Sequence, residues 1–143
     1  MKYETFKNMY EKQINELPLK FAFSNEQFKE SMNELGLTEN DTDKIVSIGY
    51  GGFCTRETAE KLKDITERQE KEYKHLLYSD DMFAESAFYY ELGNHEYCIT
   101  YDIGETLTAL NLTKKELLEN ERLLKIYTEA KNKYLKDMEK WGY

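Results

Sequence analysis

The sequence predicts a helix-dominated α+β domain that carries a small two- or three-stranded antiparallel sheet. A single proline and seven glycines in 143 residues favour long helices over a turn-rich sandwich. Apolar residues recur at steps of three and four over most of the chain, which is the period of amphipathic helices. Short β-type runs interrupt that period in two places. Because hydrophobic residues make up 40% of the sequence, we expect one globular domain over residues 1–143.

The first part of the chain predicts two helices. The first covers residues 3–17 and stops before Pro18, since a residue that precedes proline avoids helical geometry. After an extended piece at residues 21–23, Ser24 begins the second helix, with Gln27 as its capping-box partner. The expected buried stripes are Tyr3, Phe6, Tyr10, Ile14 and Leu17 in the first helix and Phe28, Met32 and Leu35 in the second.

A strand, a glycine turn and a long helix come next. Residues 45–48 have the composition of a β-strand, and the Gly-Tyr-Gly-Gly run at residues 49–52 breaks it. Thr55 can cap the following helix, which we place at residues 56–77. A further helix begins at Ser79 or Asp80 and is expected to end at Gly93. Its apolar residues leave no polar face, so the helix is either largely buried or presents aromatic side chains to a partner.

The remaining chain predicts a strand and two helices. Residues 96–101 (Glu-Tyr-Cys-Ile-Thr-Tyr) have strand composition and can pair with the earlier strand. Asp102 can cap a short helix, and Thr113 with Glu116 forms a capping box before the last one. The stripe of the last helix is Leu117, Leu124, Tyr127, Tyr134, Met138 and Trp141, interrupted by Asn120 and Lys131. This stripe can dock on the domain or pair two chains, so we expect a monomer or a homodimer through residues 113–141.

Composition narrows the function classes. The formal net charge is −8, which disfavours direct binding to a phosphate backbone. Cys54 and Cys98 cannot build a disulfide framework and indicate a reducing compartment. No apolar run has membrane-spanning length, and the N-terminal residues lack the apolar core of a signal peptide. We therefore expect a cytoplasmic protein, in a host cell, with no membrane partner.

The acidic charge is concentrated in one stretch of the sequence. Residues 75–113 contain seven acidic and no basic residues, a net charge of −7, together with seven aromatic residues. Carboxylates and tyrosines on one surface can occupy a basic groove of another protein in the place of phosphates. Alternatively, the aromatic side chains belong to the core and the acids are solvated. The predicted partner-binding residues are Asp80, Asp81, Glu85, Tyr89, Glu91, Glu96, Tyr97, Tyr101 and Asp102.

Two short motifs suggest chemistry without requiring it. Gly-Asn-His-Glu at residues 93–96 resembles one motif of the calcineurin-like metallophosphoesterases, in which Asn and His bind two metal ions. That resemblance makes Asn94 and His95 a metal-binding alternative. The other motifs of that family are missing, so we expect no metal, no cofactor and an ordinary helix end here. The second motif is a candidate anion site at a helix start, formed by Gly51, Gly52, Thr55 and Arg56; the alternative is a purely structural turn.

Three longer segments, residues 45–53, 90–102 and 107–113, carry a wider resemblance. Over residues 21–125 the chain resembles small acidic proteins of phages and integrative elements of low-GC Gram-positive bacteria, a group with no known activity. The resemblance implies a non-catalytic binding module of a mobile element. Its expected partner is a basic protein surface, including that of a host nucleic-acid-binding protein, and its expected action is inhibition of a host defence such as a CRISPR nuclease. The alternatives are a small metal-dependent hydrolase centred on His95 and a homo-oligomeric structural module.

Overall fold

The structure is a computed structural model that describes residues 1–142, and within them it contains eight α-helices and a three-stranded antiparallel sheet. No helix in that range is long and apolar enough to cross a membrane. The eight helices and the sheet confirm the predicted α+β class, dominated by helices. In chain order the elements are α1 (Tyr3–Asn15), β1 (Lys20–Phe21), α2 (Asn25–Glu34), β2 (Ile45–Gly49), β3 (Gly52–Thr55), α3 (Arg56–Ser79), α4 (Asp81–Asn94), α5 (Tyr97–Thr100), α6 (Gly104–Ala109), α7 (Lys114–Glu119) and α8 (Glu121–Lys140).

Two compact units make up the chain. The first unit contains Met1–Asn8 and the chain from Lys71 onwards, and the second contains Met9–Glu70. The expectation of one domain over residues 1–143 stays a prediction.

The second unit holds the sheet, in the strand order β1–β3–β2. Strands β2 and β3 form a hairpin whose two turn residues, Tyr50 and Gly51, have φ values of 53° and 76°. Two consecutive positive φ values are typical of the type I′ turn, whose twist matches that of a hairpin. Helix α2 packs on the sheet as its stripe predicts: the Phe28 and Phe53 rings lie 5.2 Å apart, and Met32 is fully buried.

Local capping signals in the second unit are largely confirmed. The Ser24 hydroxyl accepts a hydrogen bond from the Gln27 NH, as expected of the N-cap of α2. The reciprocal bond of a capping box is not formed, because the Gln27 side chain accepts from the Phe23 NH instead, at 2.8 Å. Thr55 caps α3 by accepting from the Thr58 NH at 3.3 Å.

The first unit is built on the pairing of α4 with α8. The Phe88 and Tyr127 rings meet edge to face at 5.5 Å in the middle of this pair. Burial of these large side chains is the main favourable term for this unit. The buried side chains are Phe83, Ala84, Ala87, Phe88, Glu91 and Leu92 on α4 and Leu123, Ile126, Tyr127, Ala130 and Tyr134 on α8.

Two predictions about the segment after α4 are wrong. Helix α4 does not end at Gly93 but continues to Asn94, and Gly93 does not have a positive φ. Residues 96–101 are not a strand: α5 occupies this segment between two left-handed residues, Glu96 and Tyr101. Contacts with α8 hold this turn in place, because the Tyr134 hydroxyl accepts from the Cys98 NH. Strand-type composition is therefore overridden by packing.

The last predicted helix is two helices. The capping box of Thr113 and Glu116 is present and begins α7, with both hydrogen bonds at 3.1 Å. At Asn120 the backbone becomes extended, and its side chain accepts from the Leu123 NH at 2.9 Å to begin α8. Half of the predicted stripe packs inside its own unit, where Leu117, Tyr127 and Tyr134 are buried. These three residues dock on their own unit, and a monomer or a homodimer through residues 113–141 stays a prediction.

Candidate functional site

An open groove runs along the surface of the first unit between α4 and the C-terminal half of α8. Its volume is about 620 Å³, within the range typical of ligand-binding clefts. The start of α1 forms one end of its wall. Apolar and aromatic side chains supply most of the lining: Met82, Tyr89, Tyr90, Tyr134, Met138 and Trp141. Polar and charged groups complete it: Lys2, Glu4, Glu85, Ser86, Asn94 and Lys133.

Helix α4 explains why the groove exists. Its side chains are apolar on nearly all sides, as the sequence suggested, but they are divided between two faces. One face is buried in the core. The other carries Met82, Glu85, Tyr89 and Gly93 at steps of three and four residues and lines the groove. Burial of the helix is thus confirmed for one face, and aromatic side chains of the other face line the groove; that they contact a partner stays a prediction.

Gly93 forms part of the groove lining where a side chain would narrow it. Its backbone is helical, so the conformational freedom of glycine is not needed here. A Cβ atom at this position would meet only the Tyr134 ring, at an ordinary contact distance of 3.7 Å. Glycine is a poor residue inside a helix, by up to about 1 kcal/mol relative to alanine. Folding therefore does not require glycine at this position, where a larger side chain would project into the groove.

Tyr89 is held rigidly in the groove wall. Its hydroxyl donates to the Asp137 carboxyl at 2.6 Å, and its ring meets Tyr134 edge to face at 5.9 Å. The ammonium group of Lys133 lies 5.4 Å from the centre of the same ring. Burial, followed by the hydrogen bond to Asp137, raises the pKa of Tyr89 to about 12. The groove wall is therefore preorganised, which reduces the entropy lost when a ligand binds.

Four charged side chains border the groove, and their surroundings differ. Glu4 and Glu85 form no ion pair with any residue in the described part of the chain. Lys133 is occupied with the Tyr89 ring, whereas Lys2 makes no comparable contact among residues 1–142. The groove thus combines an apolar floor with two acidic groups, Glu4 and Glu85, and one basic group, Lys2, that are available to a ligand.

Beneath the groove, Glu91 is a buried hub that is 1% exposed. The Tyr3 hydroxyl donates to its carboxyl at 2.8 Å, and the Lys7 ammonium lies at 3.4 Å. The Asn94 amide and the His95 Nε2 atom approach the other carboxyl oxygen at 3.4 and 3.2 Å. Burial, followed by the hydrogen bond to Glu91, raises the pKa of Tyr3. Because Glu91 is surrounded by these partners, its role is to join α1 to α4.

His95 extends this hub to a third helix. Its Nδ1 atom lies 3.3 Å from the Glu105 carboxyl on α6. Both side chains of the proposed metal-binding alternative, Asn94 and His95, therefore have Glu91 as a partner. No group of three or more potential metal ligands occurs within residues 1–142.

The nine predicted partner-binding residues do not form one surface. Only Glu85 and Tyr89 line the groove. Asp80 caps α4 by accepting from the Phe83 NH, which lowers the pKa of Asp80, and Glu91 is buried. The carboxyl of Asp81 is paired with Arg122 at 2.6 Å.

The other four predicted residues, Glu96, Tyr97, Tyr101 and Asp102, lie in the connection between α4 and α6. Tyr97 is half-buried against the rings of Tyr101 and Tyr134, at 5.8 and 6.3 Å. Asp102 accepts from the Gly104 NH at 2.8 Å just before α6, but the N-cap of that helix is Ile103 and not, as predicted, Asp102. Glu96 and Tyr101 are exposed.

The groove residues outside this set were missed in the sequence. The step of seven residues from Met82 to Tyr89 is a helical signal that could have identified one wall. Met138 and Trp141 were assigned to the buried stripe of the last helix, but they line the groove, and Trp141 is 64% exposed. Only the packing of α4 against α8 reveals that these side chains share a site.

The candidate anion site is not assembled. Gly51 lies in the hairpin turn and Gly52 begins β3, whereas Thr55 and Arg56 follow at the opposite end of that strand. The Thr55 hydroxyl is used as a cap, and the Arg56 Nε donates to the Asp43 carbonyl at 2.9 Å. The structure therefore separates the two halves of the predicted site.

Comparisons with known proteins give one match. A family model described as "Family of unknown function (DUF7659)" matches residues 2–133. Neither a search of curated proteins nor a search of solved structures finds a match for the chain.

Proposed function

The chain belongs to the family of unknown function DUF7659, and from the geometry of the groove we propose that it is a non-catalytic protein-binding module. The observation that carries this proposal is the open groove at Gly93, a helical position where folding does not require glycine. The proposed ligand is an amphipathic helical segment of a partner protein.

The groove favours a helix over an extended peptide. Its walls are themselves helices, whose backbone groups are hydrogen-bonded internally, so they offer no strand edge to a ligand. An extended peptide would leave its own backbone groups without partners against an apolar floor. A helix satisfies its backbone internally and presents side chains every three or four residues. The stretch of α4 from Met82 to Asn94 spans about 18 Å, which matches a ligand helix of about three turns.

Charge and anchor chemistry define the segment further. Aromatic and methionine side chains in the floor fit apolar anchors, and methionine adapts readily to different shapes. Glu4 and Glu85 fit lysine or arginine residues beside those anchors. An amphipathic helix with such basic residues is a more specific version of the basic protein partner that the acidic composition predicts. Action as an inhibitor of a host defence, and an origin in a mobile element, stay predictions from the resemblance.

The alternatives lack a supporting observation. A hydrolase centred on His95 would need its side chain to be available, but both ring nitrogens lie within 3.3 Å of carboxyl oxygens of this chain. Pairing of two chains through residues 113–141 would need an exposed apolar stripe, and half of that stripe, Leu117, Tyr127 and Tyr134, is buried in its own unit.

A peptide selection with a blocked variant tests the proposal. Helical peptides of about 14 residues, long enough for the three turns estimated above, are selected on the wild-type protein. They are then titrated against Gly93→Leu, which fills the groove, and against Glu129→Leu, which adds the same side chain at an exposed site on α8 outside it. We expect Gly93→Leu to weaken binding at least about tenfold while Glu129→Leu has no effect. Equal affinity for both variants, with circular dichroism showing that both are folded, would contradict the proposal.

Two charge-reversal variants test whether binding depends on the groove itself or on the acidic charge of the whole stretch. Glu85→Lys and Glu96→Lys remove the same charge, but only Glu85 lines the groove. We expect Glu85→Lys alone to weaken binding of the selected peptides that carry lysine or arginine. If both substitutions weaken binding equally at moderate salt, the acidic stretch acts as a whole and the groove is not the site.

A further inference from the structure

The second unit exposes three aromatic rings, one in the turn of the β2–β3 hairpin and two at the end of β1 and just after it. Phe21, Phe23 and Tyr50 are 53%, 77% and 96% exposed, although large aromatic side chains are ordinarily buried. The rings of the two phenylalanines lie over the glycines of the turn. A Cβ at Gly51 would come within 2.9 Å of the Phe23 ring, and a Cβ at Gly52 within 2.7 Å of the Phe21 ring. The two phenylalanine rings therefore lie beside the turn that carries Tyr50, and we call these three exposed residues the hairpin aromatic patch.

Tyr50 is not explained by folding. It has a left-handed φ of 53° at the first turn position of the hairpin, where asparagine or glycine is favoured. A tyrosine at this position is strained, and its exposed ring contributes nothing to the core. An unfavourable residue that is kept in place by its surroundings is a reason to look for function.

Several tyrosine rings elsewhere in the protein already have a lysine ammonium group over them. Lys7 lies 5.0 Å from the centre of the Tyr90 ring, and Lys131 and Lys133 lie over Tyr127 and Tyr89. Among residues 1–142 no lysine or arginine lies over a ring of the hairpin aromatic patch. Three basic residues nearby in sequence are engaged elsewhere: Lys20 pairs with Glu34, Lys44 pairs with Asp41, and the Arg56 Nε donates to the Asp43 carbonyl.

The charge of this unit selects the class of ligand. Residues 9–70 contain 8 basic and 13 acidic residues, a net charge of −5. This charge disfavours nucleic acid and anionic lipid, although both can stack on or insert among aromatic rings. It favours a cation, and the planar guanidinium group stacks on aromatic faces better than the strongly hydrated ammonium group.

We infer that the hairpin aromatic patch is a second binding surface, separate from the groove, and that it binds an arginine-rich segment of a partner protein. Guanidinium groups stack on the faces of Phe23 and Tyr50, and the acidic unit around them attracts the segment. The inference does not depend on the groove, because all the residues that carry it lie in the second unit.

Labelled hexaarginine and hexalysine peptides test this inference, with binding followed by fluorescence anisotropy at physiological salt. Two variants accompany the wild type. Tyr50→Asn places a favoured residue in the type I′ turn, so it keeps or raises the melting temperature. Phe23→Leu keeps an apolar contact over Gly51 but has no aromatic face. We expect hexaarginine to bind about fivefold more tightly than hexalysine, and each variant to remove most of this preference.

The groove variant Gly93→Leu serves as the control and should bind hexaarginine like the wild type. The inference is overturned by equal affinity for the two peptides, since general electrostatic attraction would then suffice. It is also overturned by absence of saturable binding, or by variants of the patch that retain the full arginine preference. Because Gly93→Leu affects only the groove, failure here and failure of the proposed function are distinguishable.

Discussion

At the scale of single residues, Glu91 shows how a polar side chain can be part of the core. A carboxyl group that is removed from water is costly unless it is surrounded by donors. Tyr3, Lys7, Asn94 and His95 supply those donors from two helices. The sequence placed Glu91 on a surface because it lies in an acidic stretch, and its burial follows from partners more than 80 residues away.

Replacement of Glu91 should therefore be among the most destabilising changes in the first unit. Glu91→Ala leaves the Tyr3 hydroxyl and the Lys7 ammonium without their partner, and we expect a loss of about 3–5 kcal/mol in the free energy of unfolding. Glu85→Ala, on the same helix but in the groove wall, should change it by less than about 0.5 kcal/mol. Urea unfolding followed by circular dichroism measures both. A similar small effect for the two variants would show that Glu91 is not a structural hub.

At the scale of elements, local signals predicted helix starts well and helix ends poorly. Ser24, Asp80 and Thr113 each act as the predicted N-cap, because capping depends on residues within one turn. Gly93 was expected to end α4, but the helix reaches Asn94, whose side chain bonds to Glu91. The strand expected at residues 96–101 failed because contacts with α8 decide its conformation. Such long-range contacts leave no mark within a short window of sequence.

Asn120 marks the boundary between α7 and α8, which the apolar stripe had predicted to be one helix. It interrupts the apolar stripe of the last helix, and the structure uses it to end α7 and to cap α8. The side chain is therefore a stabilising residue and not a defect in the stripe.

Removal of this cap should lower stability, whereas the same substitution at a matched asparagine inside α8 should not. Asn120→Ala should lower the free energy of unfolding by about 1 kcal/mol, since the Leu123 NH loses its acceptor. Asn132→Ala, at an exposed position in the middle of α8, should leave stability unchanged or slightly increase it, because alanine favours helices. Chemical denaturation of both variants measures the difference. If Asn120→Ala were as stable as the wild type, the cap would not define the boundary.

At the scale of the whole molecule, folding redistributes the charge that the sequence concentrates. Residues 75–113 carry −7, but α4 packs against α8, which contributes Arg122 to Asp81 and Lys133 to the Tyr89 ring. The first unit has 12 basic and 15 acidic residues, a net charge of −3, whereas the second has −5. The fold class followed from helical periodicity and composition. The groove did not, because it is defined by which faces of two apolar helices remain uncovered.

The fluorescence of Trp141 reports directly on whether the groove binds a helical segment. It is the only tryptophan in the chain and lies at the groove, 64% exposed. A selected basic amphipathic peptide that contains no tryptophan is titrated into the protein while the fluorescence emission is recorded. We expect a saturable shift of the emission to shorter wavelength as the indole leaves water, and no shift with Gly93→Leu. Binding of the peptide without any change in the Trp141 emission would contradict this expectation.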